Sequence, residues 1–228
     1  MILKTWDALP EALRTEEVRP YYDLLQKRKG ALLLKRLADV LGAAALLALV
    51  WPILGVIAVV VRLDSPGPVF FRQVRVTQYG RTFRIWKFRT MEDRGEQTGS
   101  ALTVQGDRRI TPSGSWLRRW RLDELPQLLN ILRGDMTFVG TRPEIPRYVE
   151  AYTPRMLATL LLPAGVTSEA SIRYKDEAQL LAPGADPDET YLKVILPGKM
   201  QWNLAYLERF SLLEDMRILL GTLAAVLR

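Results

Sequence analysis

Hydrophobic and polar positions are spread very unevenly along the 228 residues. Val40 to Val61 is a run of 22 residues without a single charge. As one helix, at about 1.5 Å per residue, it just matches the roughly 30 Å hydrocarbon layer of a bilayer. Pro52 falls near its middle, directly after Trp51, where it removes a backbone donor and crowds the preceding turn. The pattern predicts two helical arms, Leu37 to Trp51 and Ile53 to Val61, neither long enough to cross alone. Before the run, Thr5 to Lys29 mixes Trp6, Leu9, Leu13, Val18, Tyr21 and Leu25 with charged residues. This is the pattern of short amphipathic helices on a membrane interface, with Asp7 as a cap and Pro20 as a break.

After the run the periodicity changes. Asp64-Ser65-Pro66-Gly67-Pro68 is a turn cluster, and two extended runs follow, Val69 to Val76 and Arg81 to Met91, separated by Tyr79-Gly80. In the second, Phe83, Ile85, Lys87 and Arg89 share one face of a strand. Glu92 to Gly99 is polar and reads as a mobile loop. A helix follows from about Ser115 to Arg121. Asp123-Glu124-Leu125-Pro126 then opens a short helix with Asp123 as N-cap, Pro126 in its first turn and Gly134 as its stop. Pro163 to Ser168 reads as a turn and Ala182 to Glu189 as a loop. Ser211-Leu212-Leu213-Glu214 fits a capping box that opens a last helix to Leu227, whose apolar turns from Leu219 onward are expected on the core. No internal repeat is present. These elements predict a helix-rich α+β fold: residues 1–34 as interfacial helices, 35–62 as a re-entrant helix-break-helix membrane hairpin, and 63–228 as one cytoplasmic domain with short strands.

Charge decides how the apolar run is placed. Lys27, Arg28, Lys29, Lys35 and Arg36 precede it, and Arg62, Arg72, Arg75, Arg81, Arg84, Lys87 and Arg89 follow it. Short cytoplasmic flanks carry excess Lys and Arg, so two basic flanks favour a hairpin that dips into the membrane and returns. A kinked single span is the alternative. A cleaved secretory signal is not expected, since the run starts late and is longer than a signal core. The net charge of +7 is concentrated between Arg62 and Arg121, where 13 Lys and Arg face 5 Asp and Glu. Such a block either draws the chain to anionic lipid headgroups or lines a cleft for a polyanionic substrate.

Composition narrows the chemistry. There is no cysteine, which excludes disulfides, thiolate nucleophiles and thiolate metal sites. There is no histidine, which removes the usual general base near neutral pH. Carboxylates, Lys, Tyr, Ser and Thr remain. Asp123 and Glu124 are adjacent, so on a helix their side chains diverge by about 100° and have separate roles. Either they merely cap a helix and favour its dipole, or a phosphate binds there beside a carboxylate kept ionised by cations such as Arg119 and Arg121. Arg142, held between Thr141 and Pro143, is either a surface arginine or a guanidinium set to meet phosphate oxygens bidentately. Lys87 and Arg89 are a solvated face or part of the same site.

Several stretches, taken in order, resemble the monotopic phosphoglycosyl transferases, bacterial sugar transferases that start glycan assembly on polyprenyl phosphate. They are Lys35-Arg36-Leu37-Ala38-Asp39, Ser65-Pro66-Gly67-Pro68-Val69-Phe70-Phe71-Arg72-Gln73, Lys87-Phe88-Arg89-Thr90-Met91, Leu122-Asp123-Glu124-Leu125-Pro126-Gln127-Leu128, Gly134-Asp135-Met136 and Val139-Gly140-Thr141-Arg142-Pro143-Glu144. The resemblance implies a re-entrant helix and a covalent two-step transfer at the cytoplasmic face of a bacterial inner membrane. Asp123 matches the family nucleophile, which attacks the β-phosphate of a UDP-sugar, expels UMP and passes the phosphosugar to polyprenyl (undecaprenyl) phosphate. Glu124 matches the acid associated with Mg²⁺, with Asp123 nearby, and Arg142 matches the arginine that contacts the nucleotide substrate. Lys87, Arg89, Arg72, Arg75 and Arg121 lie in or beside matching basic motifs and are candidate phosphate contacts. The partners implied are a UDP-sugar, polyprenyl phosphate and membrane lipid, with no nucleic acid; a homo-oligomer stays open.

Three positions depart from the family pattern. The helix break is Trp51-Pro52 instead of Ser-Pro, Thr141 stands where proline is usual, and Gly165-Val166-Thr167-Ser168-Glu169-Ala170 follows the usual continuation only loosely. The rival function is a non-catalytic basic adaptor on anionic lipid or nucleic acid, whose binding weakens steeply with salt and ignores Asp123.

Overall fold

A computed structural model describes residues 3–92, 102, 106–181 and 186–227 of the chain. Two 3₁₀ turns, Trp6–Ala8 and Glu11–Leu13, lead into α1 (Arg19–Lys27), where Pro20 occupies the first turn and its missing N–H leaves no bond unmade. Pro20 thus starts a helix instead of breaking one, and Thr5, not Asp7, holds the cap position of the first turn. Leu9, Leu13, Val18 and Leu25 are buried in one cluster with Leu161, Leu207 and Phe210 from the far end of the chain. The apolar face of this segment packs on the core, at about 1.5–3 kcal/mol for each fully buried large side chain.

The charge-free run lies in α2 (Lys29–Asp64), a single helix of 36 residues whose backbone stays helical through Pro52. The two expected arms are one element. It is long and apolar enough to cross a membrane, yet one face is buried toward each end, through Leu32, Lys35, Asp39 and Ala43 and again through Ile57 and Val61, with Leu47, Val50 and Leu54 half-buried between them. That stripe changes partner around Pro52. Ala43, Leu47 and Val50 pack with Leu128, Ile131 and Met136, whereas Leu54, Ile57 and Val61 pack with Phe88 and Leu117. The opposite face is apolar and exposed, with Leu33, Leu41, Leu49, Val56 and Leu63 at its crest.

Polar clamps hold both ends of α2. At the first end Lys35 Nζ donates to Asp215 Oδ2 at 2.7 Å, Arg36 donates to the carbonyls of Ile131 and Leu132, and Asp39 accepts from Thr137 Oγ1 and Phe138 N–H. At the other, the Arg89 guanidinium donates to the carbonyls of Val61, Ser65 and Pro66, and Asp64 accepts from the Ser113 N–H and hydroxyl. Arg89 meets the last-turn carbonyls that a helix end otherwise leaves bare.

The two extended runs form an antiparallel hairpin, β1 (Phe70–Val76) and β2 (Thr82–Phe88), with Phe70 opposite Phe88 and Val76 opposite Thr82. Tyr79 and Gly80 turn the chain at φ of 60° and 77°. Of the polar stretch expected to be a loop, Glu92 to Gly99, only Glu92 lies within the described residues. α3 (Pro112–Arg119) starts before the expected Ser115, because Thr111 Oγ1 accepts from the Gly114 N–H and Pro112 fills its first position. A 3₁₀ turn, Leu122–Gln127, runs into α4 (Leu128–Arg133), which Gly134 stops at φ 85°.

β3 (Met136–Val139) pairs in parallel with β4 (Ala164–Thr167), and α5 (Pro146–Val149) with a 3₁₀ stretch, Met156–Leu161, lies between them in sequence. The expected turn at Pro163 to Ser168 is thus mostly a strand. Gly165 misled because its job is close approach: a Cβ there would lie 2.2 Å from Gly140 N and O. The remaining helices are α6 (Glu169–Arg173), α7 (Glu177–Leu180), α8 (Pro187–Thr190), α9 (Leu196–Arg209) and α10 (Leu212–Leu227). Within the loop expected over Ala182 to Glu189, residues 182–185 lie outside the description and Asp186 caps α8. Ser211 Oγ accepts from the Glu214 N–H at 3.1 Å, as a cap should. The core expectation for the last turns fails in part: Leu219 packs partly buried against the core, but Leu220, Leu223 and Leu227 face outward.

Candidate active site

β2 and the 3₁₀ turn pack side by side, and this contact assembles the site. Arg121, just before the turn, has φ 55° in the left-handed region, which costs a non-glycine residue about 1 kcal/mol. The reversal it makes delivers Asp123 and Glu124 inward, with 6% and 8% of their surface exposed. Neither caps a helix here. Asp123 lies inside the 3₁₀ turn, and no side chain caps it.

The two acids differ sharply in surroundings. Glu124 Oε1 accepts from Lys87 Nζ at 2.8 Å and Arg142 Nη2 at 2.5 Å, with Arg121 Nη1 at 3.7 Å; Oε2 takes Arg142 Nη1 at 3.4 Å. Asp123 Oδ1 is buried and has no hydrogen-bond partner. Burial pushes the Asp123 carboxyl up, the adjacent Glu124 charge pushes it further, and Lys87, Arg118 and Arg121 oppose both. Burial would also raise Glu124, but Arg142 and Lys87 outweigh it and hold that carboxyl well below the usual carboxylate range. Burial lowers Lys87 against the pull of Glu124, while the Glu124 carboxylate raises Arg142. One acid is thus a saturated counter-charge and the other an unoccupied oxygen, the separation that gives paired carboxylates distinct roles.

The turn carrying Arg142 is pinned to β4 on both sides. Gly140 N–H donates to Thr167 O at 3.0 Å and Gly165 N–H to Thr141 O at 2.8 Å. These bonds fix the turn although Thr141 replaces the usual proline.

A cavity of about 1320 Å³ opens in front of the acids, larger than the roughly 300–1,000 Å³ of an ordinary ligand site. All the sequence-predicted residues line it: Asp123, Glu124, Arg142, Lys87, Arg89, Arg72, Arg75 and Arg121. They are not equivalent. Lys87, Arg121 and Arg142 converge on Glu124. Arg89 is buried and its guanidinium clamps α2. Arg72 stacks on the Trp86 ring at 4.0 Å, and Arg75 donates to Gln73 Oε1 and Pro143 O. Further neighbours were not singled out as site candidates in the sequence. Arg118, half-buried and donating to Thr90 Oγ1, adds charge near Asp123. Gln127 is 1% exposed, and both polar atoms of its carboxamide are buried without a partner. Its position four residues after Asp123 was the available signal. On the far wall Glu144 accepts from Tyr191 Oη, which also takes Lys199 Nζ at 3.1 Å.

Among the described residues no cluster of three acids forms a metal site by itself. A hard divalent ion that brings phosphate oxygens and waters needs only one or two carboxylates, and the orphaned Asp123 oxygen beside Glu124 fits that case.

The family model for bacterial sugar transferases matches residues 30–228. The chain is 37% identical over 196 residues to a UDP-glucose:undecaprenyl-phosphate glucose-1-phosphate transferase of Caulobacter vibrioides, covering 85% of this chain and 69% of that one. It is 34% identical over 197 residues to a UDP-N-acetylgalactosamine-undecaprenyl-phosphate N-acetylgalactosaminephosphotransferase of Aeromonas hydrophila, with 85% of this chain and 44% of that one covered. An exopolysaccharide production protein of Rhizobium leguminosarum is 34% identical over 211 residues, 86% of this chain and 96% of its own. Several of these relatives are longer, and the chain spans 44% of the Aeromonas protein and 39% of an Escherichia coli glucose-1-phosphate transferase. With 199 of its 228 residues inside the family match, the chain belongs to the bacterial sugar transferase family.

Proposed function

We propose that the protein is a membrane-bound phosphoglycosyl transferase that moves a sugar-1-phosphate from a UDP-sugar to polyprenyl phosphate. In the first half-reaction an Asp123 carboxylate oxygen bonds to the β-phosphorus, the bond from that phosphorus to the bridging oxygen breaks, and UMP departs with the electron pair. In the second, a phosphate oxygen of the lipid bonds to the same phosphorus and Asp123 is released as a carboxylate. A carboxylate needs no general base for this role, which suits a chain without histidine. The observation that carries the proposal is the buried, unpartnered Asp123 oxygen beside an acid already neutralised by Lys87 and Arg142. Those cations, with Arg121 and Arg118, oppose the charge of a diphosphate and stabilise the phosphorane-like charge that builds during transfer. Mg²⁺ brought in by the diphosphate would take a Glu124 oxygen only by displacing Lys87 or Arg142 from it, with the open Asp123 oxygen nearby, and would add Lewis-acid neutralisation of that charge. The relatives named above act on different sugars, so the proposal extends to the reaction class and not to one sugar.

We place the protein on one face of the membrane, the cytoplasmic face of a bacterial inner membrane. Clamps from a single folded unit hold both ends of α2, through Lys35 and Asp39 at one end and Val61 and Asp64 at the other. A helix crossing the bilayer would carry those two ends to opposite sides. The exposed apolar face of α2 supports lipid contact along the same helix.

Exchange of labelled UMP into UDP-sugar, without lipid acceptor, tests the chemistry. The wild type should exchange, and Asp123→Asn should not; exchange retained by that variant removes Asp123 as the nucleophile.

A further inference from the structure

α10 and α2 both cross the small β3/β4 sheet. Asp39 of α2 bonds to Thr137 and Phe138 of β3, and Thr222 of α10 shares a 2.7 Å hydroxyl contact with Thr167 of β4. The Lys35–Asp215 pair ties the two helices together at one end. About three turns further on, Leu46 and Val50 of α2 and Ala225 and Val226 of α10 line the same cavity as the catalytic acids. The two helices therefore run in the same direction on either side of a trough. Its floor is apolar, made by Phe138 of β3 and Val166 of β4, which also line the cavity. Gly42 makes room for the Phe138 ring, since a Cβ there would come within 3.1 Å of it. The Val166 carbonyl accepts from Arg142 Nη1 at 3.5 Å, so the greasy trough passes directly into the charged pocket.

Outside the trough, α10 carries Leu213, Met216, Leu220, Leu223 and Leu227 exposed at spacings of three and four, one continuous stripe. α2 exposes its own apolar face, so both walls of the trough present lipid-compatible surfaces outward. A cavity with an apolar end between two such helices and a cationic end at a nucleophile matches a long hydrocarbon chain that terminates in a phosphate.

We infer that α10 is the second wall of the acceptor site: the isoprenoid chain of the lipid phosphate lies between α2 and α10, over Phe138 and Val166, with its phosphate directed to Asp123. This rests on the transferase reading above and assigns α10 a substrate-binding part. The partner is a single-chain isoprenoid phosphate in the bilayer.

The two half-reactions separate this inference from the reading beneath it. Ala225→Trp and Val226→Trp, which fill the trough, should slow transfer to an isoprenoid phosphate at least tenfold while UMP exchange, which uses no lipid, falls less than threefold. Leu213→Trp, on the outer stripe far from the trough, should leave both within twofold. Equal losses of exchange and transfer, or unimpaired transfer in the trough variants, overturn the inference. A diazirine-bearing isoprenoid phosphate photolysed on the wild type avoids any folding defect of the variants. Adducts on Val50, Ala225 or Val226 support the trough, whereas adducts confined to the outer leucines of α2 or α10 overturn it. A wild type that performs no UMP exchange defeats the covalent reading, and this inference falls with it.

Discussion

Arg142 and Glu124 face each other through both guanidinium nitrogens and both carboxylate oxygens, 18 residues apart in the chain. The pair explains how two adjacent acids acquire opposite properties. Arg142 and Lys87 consume the basicity of Glu124, so of these two adjacent acids Asp123 is the one that keeps an unpartnered oxygen. An arginine suits this place because its fork meets both oxygens and stays charged, which a lysine does only as a point contact.

The pH dependence of UMP exchange should follow from that division. Burial and then the Glu124 charge raise Asp123 from its ordinary value, whereas Glu124 is held well below its own. The nucleophilic form is thus lost as the pH falls through the raised Asp123 value, while Glu124 stays ionised. Glu124→Gln removes the second of the raising influences and leaves Lys87, Arg118 and Arg121 in place. Its acid limb should move to lower pH, with the plateau rate down about 10²–10³-fold for loss of an electrostatic partner in the site. A limb that stays put or moves up contradicts the assignment of the titration to Asp123.

Gly165 tests how the Arg142 turn is held. A methyl group at this position meets the Gly140 backbone at 2.2 Å on both N and O, and backbone does not yield as a flexible side chain does. Gly165→Ala should destabilise the protein by about 1–3 kcal/mol and lower exchange, because the strands that position Arg142 must part. Gly30→Ala, with nothing within 4 Å of the added carbon, should be neutral or stabilising by up to about 1 kcal/mol. Thermal unfolding in one detergent measures both, and equal melting temperatures for the two variants would contradict the close-approach argument.

Much of this arrangement was legible along the chain, and the parts that were not share a physical cause. The apolar run, the hairpin strands, the Gly134 stop and the Ser211 cap are local signals, and each appears where its residues lie. The docking of α2 was not legible, because Lys35 finds Asp215 and Asp39 finds Thr137 across 180 and 98 residues. The outward stripe of α10 and the buried stripe of the N-terminal segment have the same helical period, and period alone does not say whether core or lipid covers it. Gly165 signals a turn as readily as a close contact. At the site, the motifs that carry the family resemblance named the acids and Arg142, while Arg89 in the same motifs serves the end of α2. Gln127 was marked only by its place four residues after Asp123, and that spacing does not show that its amide is buried without partners.

The placement of α2 makes a prediction about sidedness. The chain has no cysteine, so single cysteines introduced at Lys27 and Arg62, both exposed, give unambiguous labels on either side of the apolar run. A membrane-impermeant maleimide should reach both in inverted inner-membrane vesicles and neither in intact cells. Opposite accessibility of the two positions would show a crossing helix and set aside the one-sided arrangement.

Gln127 offers the sharpest separation of stability from activity. Its carboxamide is buried beside the cavity with both polar atoms unbonded, an arrangement that costs roughly 1–3 kcal/mol for an unsatisfied group and that folding alone does not reward. Methionine has nearly the same length and no amide to desolvate. Gln127→Met should therefore melt at the same temperature as the wild type or higher. If the amide is kept for the phosphosugar, the same variant should slow UMP exchange at least tenfold. Glu at this position would instead place a second negative charge by Asp123 and raise the pH at which exchange begins. A Gln127→Met protein that is more stable and fully active would show that the amide has no part in substrate handling, and one that is less stable would show that it bonds within the fold.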